Sequence, residues 1–236
     1  MRHYKIKGGI ILIDYISLDI NIPILRQLPP PFASAAILFH PFVQMSAGWK
    51  QAQQKYPNHH VYPDDREIIE LGSPVSWKKI MQQSGLSSFA EVATALSDNW
   101  LDRKYAKPHL AKKLDAALHE DLFWPMEDTV CILLLKDILD TFSSKGAEYF
   151  YYADPIEGKK GRVRITDITP FELPFLTLSE MIIADENMDF AFMSEYDAYT
   201  TYFFAKDENI HTIIKQKEWE ALICDKETTS AWFLSE

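Results

Sequence analysis

Apolar residues recur mostly at helical spacing up to Gly146, and beyond it they alternate or run in short aromatic blocks, as strands do. Trp77, Ile80 and Met81 fall on one face at i, i+3 and i+4, with Ser73 and Pro74 as the expected helix start and Gly85 as its stop. Ser87 or Ser88 caps a second helix in which Phe89, Val92, Ala93 and Leu96 repeat, up to about residue 100. A third runs from Pro108 with Leu110, Leu114, Ala117 and Leu118 on its apolar side. A fourth is expected from Pro125, with Glu127 and Asp128 near its positive end. Its apolar residues, Val130 to Leu135 and then Ile138, Leu139 and Phe142, surround most of the circumference, so it should be central and buried, with Lys145-Gly146 as its stop. Residues 10–13 read as a strand, the prolines at 29–31 as a break, and residues 35–39 as a short strand or helix. Residues 49–56 read as a polar helix ended by Pro57, and residues 58–65 as a loop.

Past Gly146, residues 148–153 and 162–168 read as strands joined by the turn at 157–161. Residues 190–193 and 199–205 make two more, separated by Ser194-Glu195-Tyr196-Asp197. Residues 177–184 and 207–217 read as flanking helices, and 221–224 and 231–234 as short closing strands. No internal repeat is visible. This order predicts an α+β fold, a helical N-terminal half packed on a mainly antiparallel C-terminal sheet with flanking helices. One domain over residues 1–236 is favoured, because the helix from Pro125 needs cover on all sides. The alternative is a mainly helical 1–124 and an α+β 125–236.

Composition leaves this picture intact. At 47% hydrophobic and 25% charged the chain has ordinary globular usage, which argues against disorder. The longest apolar run, Val130 to Leu135, is far short of the roughly 20 residues a membrane span needs, and the N-terminal run at 10–13 is too short for an export signal. Cys131 and Cys224 lie in apolar stretches without Cys-x-x-Cys spacing, so they read as buried thiols of a soluble, cytoplasmic protein.

Charge does change the picture. Of the net −10, residues 165–236 contribute 15 acids against 4 lysines, whereas residues 1–164 hold 19 acids against 20 bases. Such a surface repels nucleic acid and membranes and attracts basic partners, with steering that weakens as salt rises. Ordinary solubility is the plain alternative.

Chemistry-bearing motifs are sparse. There is no Gly-x-Gly-x-x-Gly, no phosphate loop ending in Gly-Lys-Ser/Thr and no Gly-x-Ser-x-Gly, and no cofactor is indicated. His59, His60, Asp64 and Asp65 are the densest set of metal-ligand types, although a solvated loop explains them as well. His109, Asp115 and His119 span one helix too widely to share a metal and read as surface residues. Lys159, Lys160, Arg162 and Arg164, with Gly158 and Gly161, suit an anion or a plain hairpin tip. Residues 77–100 have the outline of a helix-turn-helix, but the second helix carries Glu91 and Asp98 and no base, which argues against DNA.

The acidic third holds the most informative pattern. Asp185, Glu186 and Asp189 precede one strand, Glu195 and Asp197 follow it, and Asp207 and Glu208 open the helix after the next, with Tyr196, Tyr199 and Tyr202 interleaved. Glu195, Asp197, Tyr199, Asp207 and Glu208 are therefore the candidate partner-binding residues. Glu180, Glu195 and Asp197 form an alternative general acid–base set. Residues 189–204 resemble the acidic strand-turn-strand ends of bacterial immunity proteins that neutralise toxins. The resemblance implies a cytoplasmic inhibitor that covers its partner with acids and tyrosines and performs no catalysis. The whole chain also resembles bacterial families of unknown function. The expectation is a non-enzymatic module that masks a basic protein partner, and the rival is an enzyme or metal-binding protein of undefined class.

Overall fold

The computed structural model describes residues 4–7, 10–56, 59–119, 121–178, 180–207 and 210–234, with side chains from Ile13 onward. In chain order they form β1 (Tyr4–Lys7), β2 (Ile10–Ile13), β3 (Ser34–Phe39), β4 (Phe42–Gln44), α1 (Trp49–Gln53), α2 (Asp65–Leu71), β5 (Ser73–Val75), α3 (Trp77–Ser84), α4 (Phe89–Ser97), α5 (Pro108–Ala117), β6 (Leu122–Phe123), α6 (Ile132–Ser144), β7 (Tyr149–Ala153), β8 (Lys160–Arg164), β9 (Ile182–Asp185), β10 (Phe190–Ser194), β11 (Thr200–Ala205), α7 (Ile210–Gln216) and β12 (Ala221–Ile223). The fold is α+β, with most helices in the N-terminal half and a seven-stranded antiparallel sheet built largely from C-terminal strands. The chain divides into two compact units, Met1–Phe39 with Glu127–Ala231 and His40–Met126 with Trp232–Glu236.

The first unit holds the sheet, in the order β12-β3-β11-β10-β9-β7-β8. Strands β9, β10 and β11 are buried at every position, and β3 at all but its first. Phe192 stacks on Phe203 with ring centroids 4.6 Å apart, and Trp219 meets both edge-on. Phe142 of α6 closes on Phe192 and Phe150 from its own helix. Each such pair adds about 1 kcal/mol beyond the area it buries. The expectation of a buried α6 holds, since Ile132, Leu134, Leu135, Ile138, Leu139 and Phe142 are all buried, while Asp137 on the same helix pairs with Lys217 at 3.1 Å.

The second unit combines a three-stranded sheet, β5-β4-β6, with α1 to α5. Ser76 and Ser88 accept the N–H groups of Lys79 and Glu91 and so cap α3 and α4, and Gly85 ends α3 in the left-handed conformation at φ 68°. His40, fully buried, lies with Nδ1 2.7 Å from the Met126 carbonyl, so that nitrogen carries the proton and donates. Its own carbonyl accepts the Trp77 indole N–H at 2.7 Å.

Several expected elements differ. Ser73 and Pro74 lie in β5, an edge strand where proline's missing N–H costs no ladder bond, and Ser76 is the cap instead. The expected loop at 58–65 ends in a helix: Asp64 and Glu67 form a reciprocal capping box that starts α2. Pro125 starts no helix, because Asp128 at φ 65° breaks the path and α6 begins only at Ile132. Residues 177–184 supply β9 rather than a helix, since a short run buried on both faces has no period to read. The strand expected at 162–168 stops at Arg164 and turns into a short 3-10 helix, Ile165–Asp167. Residues 231–233 form a turn rather than a closing strand. Both cysteines are buried and unbonded to each other. Among the described residues no helix is long and apolar enough to cross a membrane.

Burial holds the His40 imidazole down at about 4, against the partial opposition of its bond to Met126. With the folded value depressed below the ordinary 6.5, only the unfolded chain takes up the proton between those limits, so this contribution to stability is complete above pH 6.5 and is lost as pH falls. Between pH 7.5 and pH 5 the wild-type chain should lose about 2 kcal/mol more than His40→Gln, read by urea unfolding. Parallel pH profiles for the two proteins would contradict the buried neutral imidazole.

Candidate functional site

Antiparallel register brings distant carboxylates to one end of the large sheet. Ile182 stands opposite Met193 and also opposite Ala153, while Thr200 stands opposite Phe39. The start of β9, the turn from β10 to β11 and the turn from β7 to β8 therefore share an end. The Tyr15 hydroxyl donates to the Ser194 carbonyl there at 2.8 Å. The Glu180 carboxylate accepts the Tyr196 N–H at 2.7 Å, and Asp128 accepts the Asp197 N–H at 2.6 Å, so two acids fix the turn's backbone. Asp128 and Asp197 both adopt the left-handed conformation, at φ 65° and 56°, which aspartate tolerates better than most residues.

Beneath this surface Tyr202 donates its phenol proton to Glu195 at 2.9 Å. Burial pushes the Glu195 carboxyl up, the Tyr202 bond pulls it partly back, and the charge of Glu180 adds to the rise. Burial likewise raises Tyr15, helped by Glu180 and Glu195, and raises Tyr199, which shares a hydrogen bond with Glu127. Tyr196, between Glu195 and Asp197, is 62% exposed, and Leu178, two positions before Glu180, is 71% exposed. The arrangement is an acidic rim with the exposed Tyr196 ring in it, in which backbone N–H groups bind Glu180 and Asp128.

The structure thus brings together Glu195, Asp197 and Tyr199 of the expected partner-binding set. Asp207 stands at the opposite end of the sheet, because the six residues of β11 separate it from Tyr199 by roughly 20 Å. Its carbonyl accepts the Ser34 hydroxyl at 2.6 Å, and Lys206 beside it pairs with Asp189. Glu208 lies outside the described residues. Buried Asp185, at that same far end, is pushed up by burial although it accepts the N–H groups of Asn187 and Phe190. Tyr15, Glu127 and Asp128 were not singled out from the sequence as parts of one site. Tyr15 has no local signal at all, whereas an acid-acid pair after Pro125 read as a helix start.

The metal alternative does not assemble. Asp64 is spent on the α2 cap, and the His59 ring stacks on Tyr56 at 4.9 Å with Nδ1 facing the Lys55 N–H. Asp65, behind the cap, is raised by burial and by Asp64. No group of three or more His, Cys, Asp or Glu among the described residues is placed to hold a metal ion. The hairpin cations are each met by an acid: Arg162 by Glu186 at 2.9 Å, Arg164 by Glu148 at 3.7 Å, Lys160 by Asp14 and Lys159 by Glu157.

Residues 20–234 match a family model described as "Protein of unknown function (DUF2711)". Over 224 residues the chain is 39% identical to the "Uncharacterized protein YwbB" of Bacillus subtilis (strain 168), a match that spans 94% of this chain and 100% of that protein. No solved structure matches. The broader of the two resemblances, to families of unknown function, agrees with these matches, and neither match speaks of toxin immunity.

An acid whose folded value is raised burdens the fold while ionised and is relieved as protonation sets in on the way down in pH. Glu195→Gln keeps an acceptor for Tyr202 and removes that burden. The variant should melt higher than wild type at pH 7.5, with the gain shrinking toward about pH 4. A variant that melts lower at pH 7.5 would show that the ionised carboxylate stabilises its site.

Proposed function

We propose a binding function for this chain, which belongs to the DUF2711 family of unknown function: the acidic end of the sheet docks a basic segment of a partner protein. What carries the reading is exposed Tyr196 set among Glu180, Glu195, Asp197 and Asp128 on a turn whose backbone is already hydrogen-bonded. A rigid turn loses little freedom on binding, which favours affinity. Tyrosine supplies apolar area with a polar tip, and the carboxylates around it suit lysine and arginine side chains at an interface rim. The excess of acid over residues 165–236 adds long-range attraction for such a partner. Inhibition of a basic toxin, which the likeness to immunity proteins implies, is the particular form this function would take in a bacterial cytoplasm.

A catalytic reading has one observation in its favour. Glu195 is raised while Glu180 stands close enough to act on it, as in a pair of carboxylates with separate acid and base roles. Yet the Glu195 carboxylate accepts from buried Tyr202, and the exposed groups nearby are those of a docking surface.

The binding reading is tested with Glu180→Gln, Asp197→Asn and Tyr196→Ala combined. These keep the turn's acceptor and its left-handed backbone while removing charge and aromatic area. A fluorescent peptide rich in lysine and arginine with one leucine anchor should bind the wild-type chain, with the triple variant at least about tenfold weaker and less salt-dependent. Equal affinity and equal salt slope for the two proteins would remove the acidic end as the docking surface.

A further inference from the structure

We infer that the second unit carries a separate ligand site, a cleft for a small phosphorylated molecule bearing a planar ring. The cleft measures about 400 Å³ and continues, across Lys50, His60 and Val61, into a hollow of about 360 Å³. Spaces of this size are ordinary for small-molecule sites. Three segments converge on it: Lys50 from α1, His60 from the loop before α2, and His119 just past the end of α5.

The chemistry of the walls selects the ligand. No carboxylate lines either space among the described residues, whereas an ammonium and imidazoles do. Lys50 and His60 both line the cleft, and among the described residues neither forms an ion pair. Among the described residues a nearby acid is Asp121, whose carboxylate feels His119 but is already engaged, accepting the N–H groups of Gly48 at 2.7 Å and Lys50 at 2.9 Å. That engagement fixes the backbone from which the Lys50 side chain extends. A lysine and histidines around a space that no described carboxylate lines suit phosphate oxygens, with charge-assisted hydrogen bonds stronger than neutral ones.

Part of the lining is aromatic. The Tyr62 hydroxyl donates to the Trp124 carbonyl at 2.9 Å, which ties the two lining residues together. Phe123 backs Tyr62 edge-on at 5.7 Å and is itself braced edge-on by Trp49 at 5.5 Å. Aromatic side chains in such a lining suit a ligand with a planar ring, which gains about 1–3 kcal/mol where it stacks. A phosphate at the basic side chains with a ring at the aromatic ones describes a mononucleotide or a compound of the same shape. Neither the acidic end of the sheet nor its proposed partner is involved, so this inference stands apart from the binding function above.

The test is calorimetric titration of the full chain with AMP, adenosine and inorganic phosphate, alongside Lys50→Ala, His119→Gln and, as a control on α3, Lys79→Ala. AMP should bind saturably, with adenosine and phosphate each at least about tenfold weaker. Lys50→Ala and His119→Gln should each weaken AMP about tenfold at unchanged far-ultraviolet circular dichroism, and Lys79→Ala should leave it unaltered. AMP bound no tighter than inorganic phosphate would overturn the aromatic half of the site. No saturable binding of AMP, or equal binding by all three variants, would overturn the site as a whole.

Discussion

Strands buried on both faces leave polar chemistry to the ends of those strands. β9, β10 and β11 are buried throughout, and β3 nearly so, which forces aromatic and branched residues onto both sides of the sheet. The stack of Phe192 on Phe203, with Trp219 and Phe142 closing on it, is the result of that constraint. The buried hydroxyl of Ser194 obeys the same rule, accepting the Met181 N–H at 3.0 Å instead of facing water. Glu180, Asp185, Glu186, Asp189, Glu195 and Asp197 all lie at or beside the ends of strands, and the antiparallel register decides which acids meet.

The two kinds of acid in the first unit differ in what satisfies them. Toward β8, Glu186, Glu148 and Asp14 meet arginine or lysine, so charge is cancelled where it arises. At the turn between β10 and β11, Glu180 and Asp128 are satisfied by backbone N–H groups, which hold a carboxylate in place without neutralising it. Negative charge at that end is therefore both fixed and available. The contrast gives the uneven charge of the sequence a location, and it sets this end apart from an evenly solvated surface.

Much of the fold was legible because it follows local rules. Ser88, Gly85 and Pro108 mark helix ends as their chemistry requires, and the β10–β11 hairpin shows in its two apolar runs around an acidic turn. What escaped depends on partners far along the chain. Pro74 is a strand residue only because β5 sits at a sheet edge, and β9 is a strand only because neighbours bury both of its faces. The site divides in the same way. Glu195, Asp197 and Tyr199 lie within five positions and were found together, whereas Tyr15 and Asp128 reach the turn from far upstream. Asp207 was grouped with them by composition, although one intervening strand is enough to send it to the other end of the sheet.

β3 also has a consequence for how the protein is made. It pairs with β11 and β12, so Phe39 waits for Thr200, about 160 positions later, and meanwhile the whole His40–Met126 segment leaves the ribosome. At the usual pace of translation that wait is on the order of ten seconds. During it, an apolar strand with bare edges is held out of its sheet, the kind of segment that aggregates or recruits a chaperone. The sheet can close only once the acidic third of the chain has emerged, which makes its completion a late event.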